Sequence, residues 1–112
     1  MNNYKLSNET KTTSSGTVLH RVVATTTFTL ACGITINAGD LGGWIEKESN
    51  LSDNAWVSDN AQVYGNAKVS DDAMVSGNAR VSGNARVTNN SQIDGDALVT
   101  GNAMVFGHVE VT

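Results

Sequence analysis

The sequence predicts an all-β chain in which a small β-rich cap leads into a triangular solenoid of short parallel strands. Three observations predict it. From Leu51 onward the chain reads in sixes without a slip: LSDNAW, VSDNAQ, VYGNAK, VSDDAM, VSGNAR, VSGNAR, VTNNSQ, IDGDAL, VTGNAM, VFGHVE and a final VT. The first place of each six is always Val, Ile or Leu, and the fifth is Ala except at Ser91 and Val109. Places three and four are Gly, Asp or Asn followed by Asn, Asp or His, residue types that tolerate a left-handed backbone in a tight turn.

The N-terminal elements come first. The runs "YKL", "TVLHRVVAT" and "TFTLACGITI" are β-rich and separated by polar Ser, Thr and Gly spacers. A bare solenoid end would expose core and unpaired strand edges, so residues 1–44 are expected to cover the first coil as a cap. Gly39, Gly42 and Gly43 around Asp40 and Leu41 read as a tight corner. They do not read as a phosphate loop, because no helix and no Lys-Ser/Thr pair follows. Residues 45–112 form the solenoid and make one compact unit with the cap. Its leading hexad is IEKESN, with Ile45 at the core place and Ser49 at the small one.

The hexads themselves exclude helix. A period of six fits neither the helical repeat nor a heptad, and Asn- and Gly-rich sixes are poor helix formers. Places five, six, one and two alternate inward and outward, as in Ala79-Arg80-Val81-Ser82, and the corner follows. Three corners close a triangle, so each strand stacks on the strand 18 residues earlier at roughly 4.8 Å. No hexad can bury its own Val, but stacked hexads merge the Val and Ala places into one narrow core.

Places six and two are expected to face solvent. Stacking then sets Trp56 beside Met74 on one face, Met104 beside Phe106 on another, and Tyr64 and Leu98 on the third. Lys68 and Arg86 join the Met104 face and give it a mixed basic and apolar character suited to an acidic partner. The last full hexad departs from pattern at Phe106, His108 and Val109, which points to an end covered by another subunit or a partner. These residues are the expected partner or oligomer interface, since Trp, Met and Phe on so small a polar solenoid favour a contact surface.

Composition narrows the function. The chain has 112 residues and a net charge of −4. Its first 50 residues balance four cations against four carboxylates, so the whole acidic excess lies in the repeat, mostly at turn positions. Scattered cations give no basic stripe, which argues against direct nucleic-acid binding. The single cysteine, Cys32, cannot form an internal disulfide, and no Cys/His spacing suits zinc. No signal peptide and no run near ~18 apolar residues is present, so the expectation is a soluble cytoplasmic protein, and the resemblance given below makes that cytoplasm a bacterial host's. No cofactor and no metal is expected.

With the hexads in view, the chain resembles the left-handed parallel β-helix, the hexapeptide-repeat fold of many acyltransferases. The stretch "AGDLGGWIEKESNLSDNAWV", residues 38–57, more narrowly resembles phage and prophage hexapeptide-repeat proteins, in which a D-L-G-G-aromatic-I-E segment precedes G-N-A-x-V repeats. The resemblance covers essentially the whole chain and implies a phage-associated protein of left-handed coil.

Enzymes of that fold typically form trimers with a histidine base, a loop thrown out from the coils and an acyl donor held between subunits. Here residues 51–110 carry no insertion. His108 occupies a turn place and His20 belongs to a cap strand, with no evident orienting group. No catalysis is therefore expected. The resulting expectation is a non-catalytic phage- or prophage-encoded binding protein, a homodimer or homotrimer that captures a host protein and inhibits a host defence complex. The alternatives are a structural or scaffold solenoid, as in virions or polymers, and an acyltransferase-like enzyme.

Overall fold

A computed structural model describes residues 4–29, 33–52, 54–107 and 110–111. Strands β1 (Tyr4–Thr12) and β2 (Val18–Ala24) form an antiparallel hairpin, and β3 (Phe28–Thr29) and β4 (Thr35–Ile36) form a second, shorter one. The longer β5 (Leu41–Ile45) and a 3-10 turn at Glu48–Asn50 lead into the repeat. There each hexad contributes a two-residue strand at places six and one: β6 (Trp56–Val57), β7 (Gln62–Val63), β8 (Lys68–Val69), β9 (Met74–Val75), β10 (Arg80–Val81), β11 (Arg86–Val87), β12 (Gln92–Ile93), β13 (Leu98–Val99), β14 (Met104–Val105) and β15 (Glu110–Val111).

Pairing follows the 18-residue interval. Face one runs β5-β7-β10-β13, face two β6-β9-β12-β15 and face three β8-β11-β14, all parallel and in register, as in Val63↔Val81↔Val99. The prism is therefore a parallel β-solenoid of three faces.

Its corners explain the sequence at place three. Asp59, Gly65, Asp71, Gly77, Gly83, Asn89, Gly95, Gly101 and Gly107 all have φ between +57° and +82°. Only Gly adopts that region without cost, and Asn and Asp are the side chains that bear it best. The turn brings the place-five N–H onto the place-two carbonyl, as in Ala61 to Ser58 at 3.1 Å. The N–H groups of places two, four and six then donate to the carbonyls of places one, three and five in the following coil, at 2.7–3.1 Å. Backbone groups are thus paired through the corners as well as along the strands.

Inside, the first-place residues from Ile45 to Ile93 are at most 1 % exposed, and the alanines of place five close the core between them. Full burial of one such aliphatic stabilises by roughly 1.5–3 kcal/mol. The leading hexad departs from the expectation. Lys47 at place three has φ −150°, Ser49 is exposed, and the 3-10 turn buries Asn50 instead. The Asn50 side chain accepts from the N–H groups of Glu46 and Lys47 and donates to the carbonyls of Gly65 and Ala67. A lysine with a Cβ does not take the left-handed corner, and the amide side chain supplies the pairing which that corner would have made.

The N-terminal hairpins finish the first coil. Strand β2 pairs antiparallel with β5 and so extends face one beyond the solenoid. Alternation along β2 is broken: Leu19, Val22 and Ala24 are buried while Val18 is exposed, because the register shifts between Arg21 and Val23. Val18, His20 and Val22 therefore do not share one side. Tyr4, Ala24 and Ile36 join the solenoid core, and the Tyr4 hydroxyl donates toward the carbonyls of Glu48 and Leu51.

One expected surface residue lies inside. Trp56, expected on a solvent-facing patch with Met74, is 1 % exposed. It does stack beside Met74, but Phe28 of the second hairpin covers it edge-on, with ring centroids 5.7 Å apart and planes at 72°. Glycine at 42 makes the room, since a Cβ there would lie 2.5 Å from the Val57 carbonyl and 2.8 Å from the indole of Trp56. At Gly43 a Cβ would lie 2.6 Å from Val57 Cγ1. The Gly-Gly pair is a packing notch for the first coil.

Two predictions follow from this packing. Trp56→Ala should lower unfolding stability by about 3–5 kcal/mol and Gly42→Ala by about 1–3 kcal/mol, read as shifts of the urea midpoint; an unchanged midpoint for Trp56→Ala would place the indole outside the core. Burial, and secondarily the charge of Glu48, pushes the Tyr4 phenol up from 10.0 to about 12. The fold therefore favours the neutral phenol: its contribution is complete below pH 10 and is lost as pH rises toward 12. Alkaline melts of wild type and Tyr4→Phe should converge over that interval.

Candidate interaction surface

The outward side chains of the three faces meet different surroundings. On face one the place-six column is Trp44, Gln62, Arg80 and Leu98. Trp44 is buried, with Lys11 Nζ 4.8 Å above its ring and the Arg21 guanidinium 5.5 Å from it, so the β1–β2 hairpin covers the start of this face. Leu98, at its other end, is 65 % exposed. Tyr64 is half-buried and two coils away from Leu98, so the two share a face without forming one patch.

On face two the column begins with Trp56 and Met74. Trp56 is covered by Phe28, and Met74 is partly buried against the core. These two expected contact residues are thus a packing unit between cap and coil.

Face three is different. Its column is Lys68, Arg86 and Met104, aligned directly across β8, β11 and β14, and all three are exposed. Phe106, two residues past Met104, is 60 % exposed. The 3-10 turn lies above this face, and Leu51 bridges to Val69 there with an inward, buried side chain. Among the described residues, the ion pair formed joins Arg21 to Glu9 at 3.5 Å, and Lys68 and Arg86 have no carboxylate within salt-bridge distance. Like charges directly opposite on parallel neighbours repel one another, so the column is electrostatically unsatisfied. His108 and Val109 lie outside the described residues.

Between the faces the corners carry side-chain ladders. Asn66 donates to Asn84, and Asn84 to Asn102, each at 3.3 Å; Asn78 donates to Asp96 at 3.3 Å. Where Asp replaces Gly at place three, its carboxylate accepts the N–H of the next corner, from Asn89 to Asp71 at 3.0 Å. The corner acids therefore carry structural bonds. No three of the described His, Cys, Asp and Glu residues gather as a metal cluster. His20 is half-buried opposite Ile45, and Cys32 lies outside the described residues. No helix among the described residues is long and apolar enough to cross a membrane.

The sequence reading missed the residues that make the faces unequal: Phe28 over Trp56, and Lys11 with Arg21 on Trp44. Gly42 and Gly43, expected in a tight corner, instead lie within β5, where their lack of a Cβ admits Trp56 and Val57.

The geometry has a counterpart among known families. A family model for the YdcK beta solenoid repeat matches residues 61–77, 67–82 and 79–95. Together these span the hexads that form β7 to β12. No curated protein matches the chain. Strand pairing at 18 residues, the left-handed corner residue and the repeat match agree, and the chain is a β-solenoid repeat protein.

Proposed function

We propose that the chain is a non-catalytic binding protein that uses face three to associate with itself and to hold an acidic surface of a host protein. The observation that carries this reading is the Lys68, Arg86, Met104 and Phe106 column: outward, exposed, uncovered by either N-terminal hairpin, and holding two cations with no acidic partner among the described residues. Places six and two point outward, and on this face neither hairpin covers them. An aromatic and a thioether beside aligned cations match the make-up of protein interfaces, with an apolar anchor and charges that select the partner.

The non-catalytic part of the reading is supported by the unbroken register. From Trp56 to Val105 each strand follows the last after six residues, so the coils themselves throw out no loop of the kind that holds an acyl donor. The phage or prophage origin follows the resemblance of residues 38–57. On that origin the protein works in the host bacterial cytoplasm, and inhibition of a host defence complex is the concrete role we assign.

Light scattering of the purified chain, followed by capture from a bacterial lysate with mass-spectrometric identification, tests this. A dimer or trimer that retains a stoichiometric, salt-sensitive companion is expected. Arg86→Glu should release the companion, and Met104→Glu should weaken self-association by about tenfold or more. Retention of both by these variants would overturn the assignment of face three. Open-ended polymers without a companion would give the chain a structural role instead.

A further inference from the structure

The β1–β2 hairpin also builds a cleft. Its connecting loop is tied internally, with Thr13 N–H donating to the Thr17 carbonyl at 2.8 Å and Thr17 N–H to Thr13 Oγ1 at 3.1 Å. The loop stands over face one, and between the two lies a cavity of about 300 Å³. Lys11 and the hydroxyl-bearing residues 12–15 line its hairpin side; Gln62, Tyr64 and Arg80 line its solenoid side.

The charges of this cleft run against those of the chain. The protein carries a net −4, yet the cleft is lined by two cations and no carboxylate. Arg21, the other cation near Trp44, is engaged by Glu9 at 3.5 Å. Lys11 rests its ammonium on the Trp44 ring, which positions the charge without neutralising it. Among the described residues Arg80 has no carboxylate within salt-bridge distance. Asp96 lines the adjoining cleft on the other side of Arg80 and accepts a hydrogen bond from Asn78.

We propose that this cleft binds the phosphoryl group of a small phosphorylated metabolite. Cations on two opposite walls, Lys11 beside a hydroxyl-bearing loop and Arg80 across from it, suit a tetrahedral oxyanion, and a guanidinium offers it two parallel N–H donors. The volume is at the lower end for ligand pockets and admits a sugar-sized body, which Tyr64 and Gln62 would meet with a ring and an amide. A nucleic-acid backbone is the poorer fit: two cations neutralise few phosphates, and the carboxylates along the solenoid corners repel a long polyanion.

The test is a titration of the full chain, labelled with nitrogen-15, with glucose 6-phosphate and separately with inorganic phosphate, followed by amide shifts and calorimetry. Saturable shifts centred on residues 11–15, 62–64 and 80 are expected, with glucose 6-phosphate binding tighter than inorganic phosphate. Arg80→Gln and Lys11→Gln should each weaken binding about tenfold or more, while Lys5→Gln, an exposed cation on the same strand β1 as Lys11, leaves it unchanged. Absence of saturation by about 10 mM, or equal weakening by Lys5→Gln, would overturn the proposal. Equal affinity for both probes would overturn recognition of the sugar-sized body.

Discussion

The solenoid depends on a left-handed backbone at the third place of its hexads from Asp59 to Gly107. That one residue turns the chain through a corner and returns it parallel to a strand 18 positions away, so that the even-place N–H groups of one coil meet the odd-place carbonyls of the next. Were the corner lost, the strand pairing and the Val-Ala core would lose their register together. A residue with a Cβ is disfavoured there by roughly 1–2 kcal/mol. Asp71 shows how the cost is offset, through its carboxylate on the N–H of Asn89.

Stacking also limits what the repeat can vary. Places one and five are enclosed, and place three is crowded where glycines stack: a Cβ on Gly83 would lie 2.9 Å from the Gly101 nitrogen. Beyond the coils that the hairpins cover, places six and two pair through their backbone while their side chains face outward, so those side chains are free to differ. Trp, Gln, Lys, Met, Arg and Leu all occur at place six. The solenoid core specifies the fold, and these outward columns are left to specify contacts.

The same division explains what was legible in the sequence. The hexad period, the inward Val and the corner residues are local patterns tied to a fixed interval, so the strand register of faces one to three could be read off directly. The Lys68, Arg86 and Met104 column followed from that interval too. Trp56 could not be placed in this way, because its burial depends on Phe28, a residue from a separate hairpin whose path no repeat dictates. Asn50 escaped for a related reason: the leading hexad keeps the period while Lys47 refuses the corner, and a side chain substitutes for backbone pairing.

The two identical hexads VSGNAR show how this fold generates difference from repetition. Residues 75–80 and 81–86 have the same side chains, the same corner and the same core burial. Yet the interval of six carries Arg80 to face one, beneath the hairpin loop, and Arg86 to face three, between Lys68 and Met104. One guanidinium borders a polar cleft under the hairpin loop and the other lies on an open basic and apolar strip. Nothing within either hexad distinguishes them. The distinction is imposed by the N-terminal hairpins, which shelter the start of two faces and leave the third bare, so the cap breaks the equivalence of three faces that the repeat alone would leave alike.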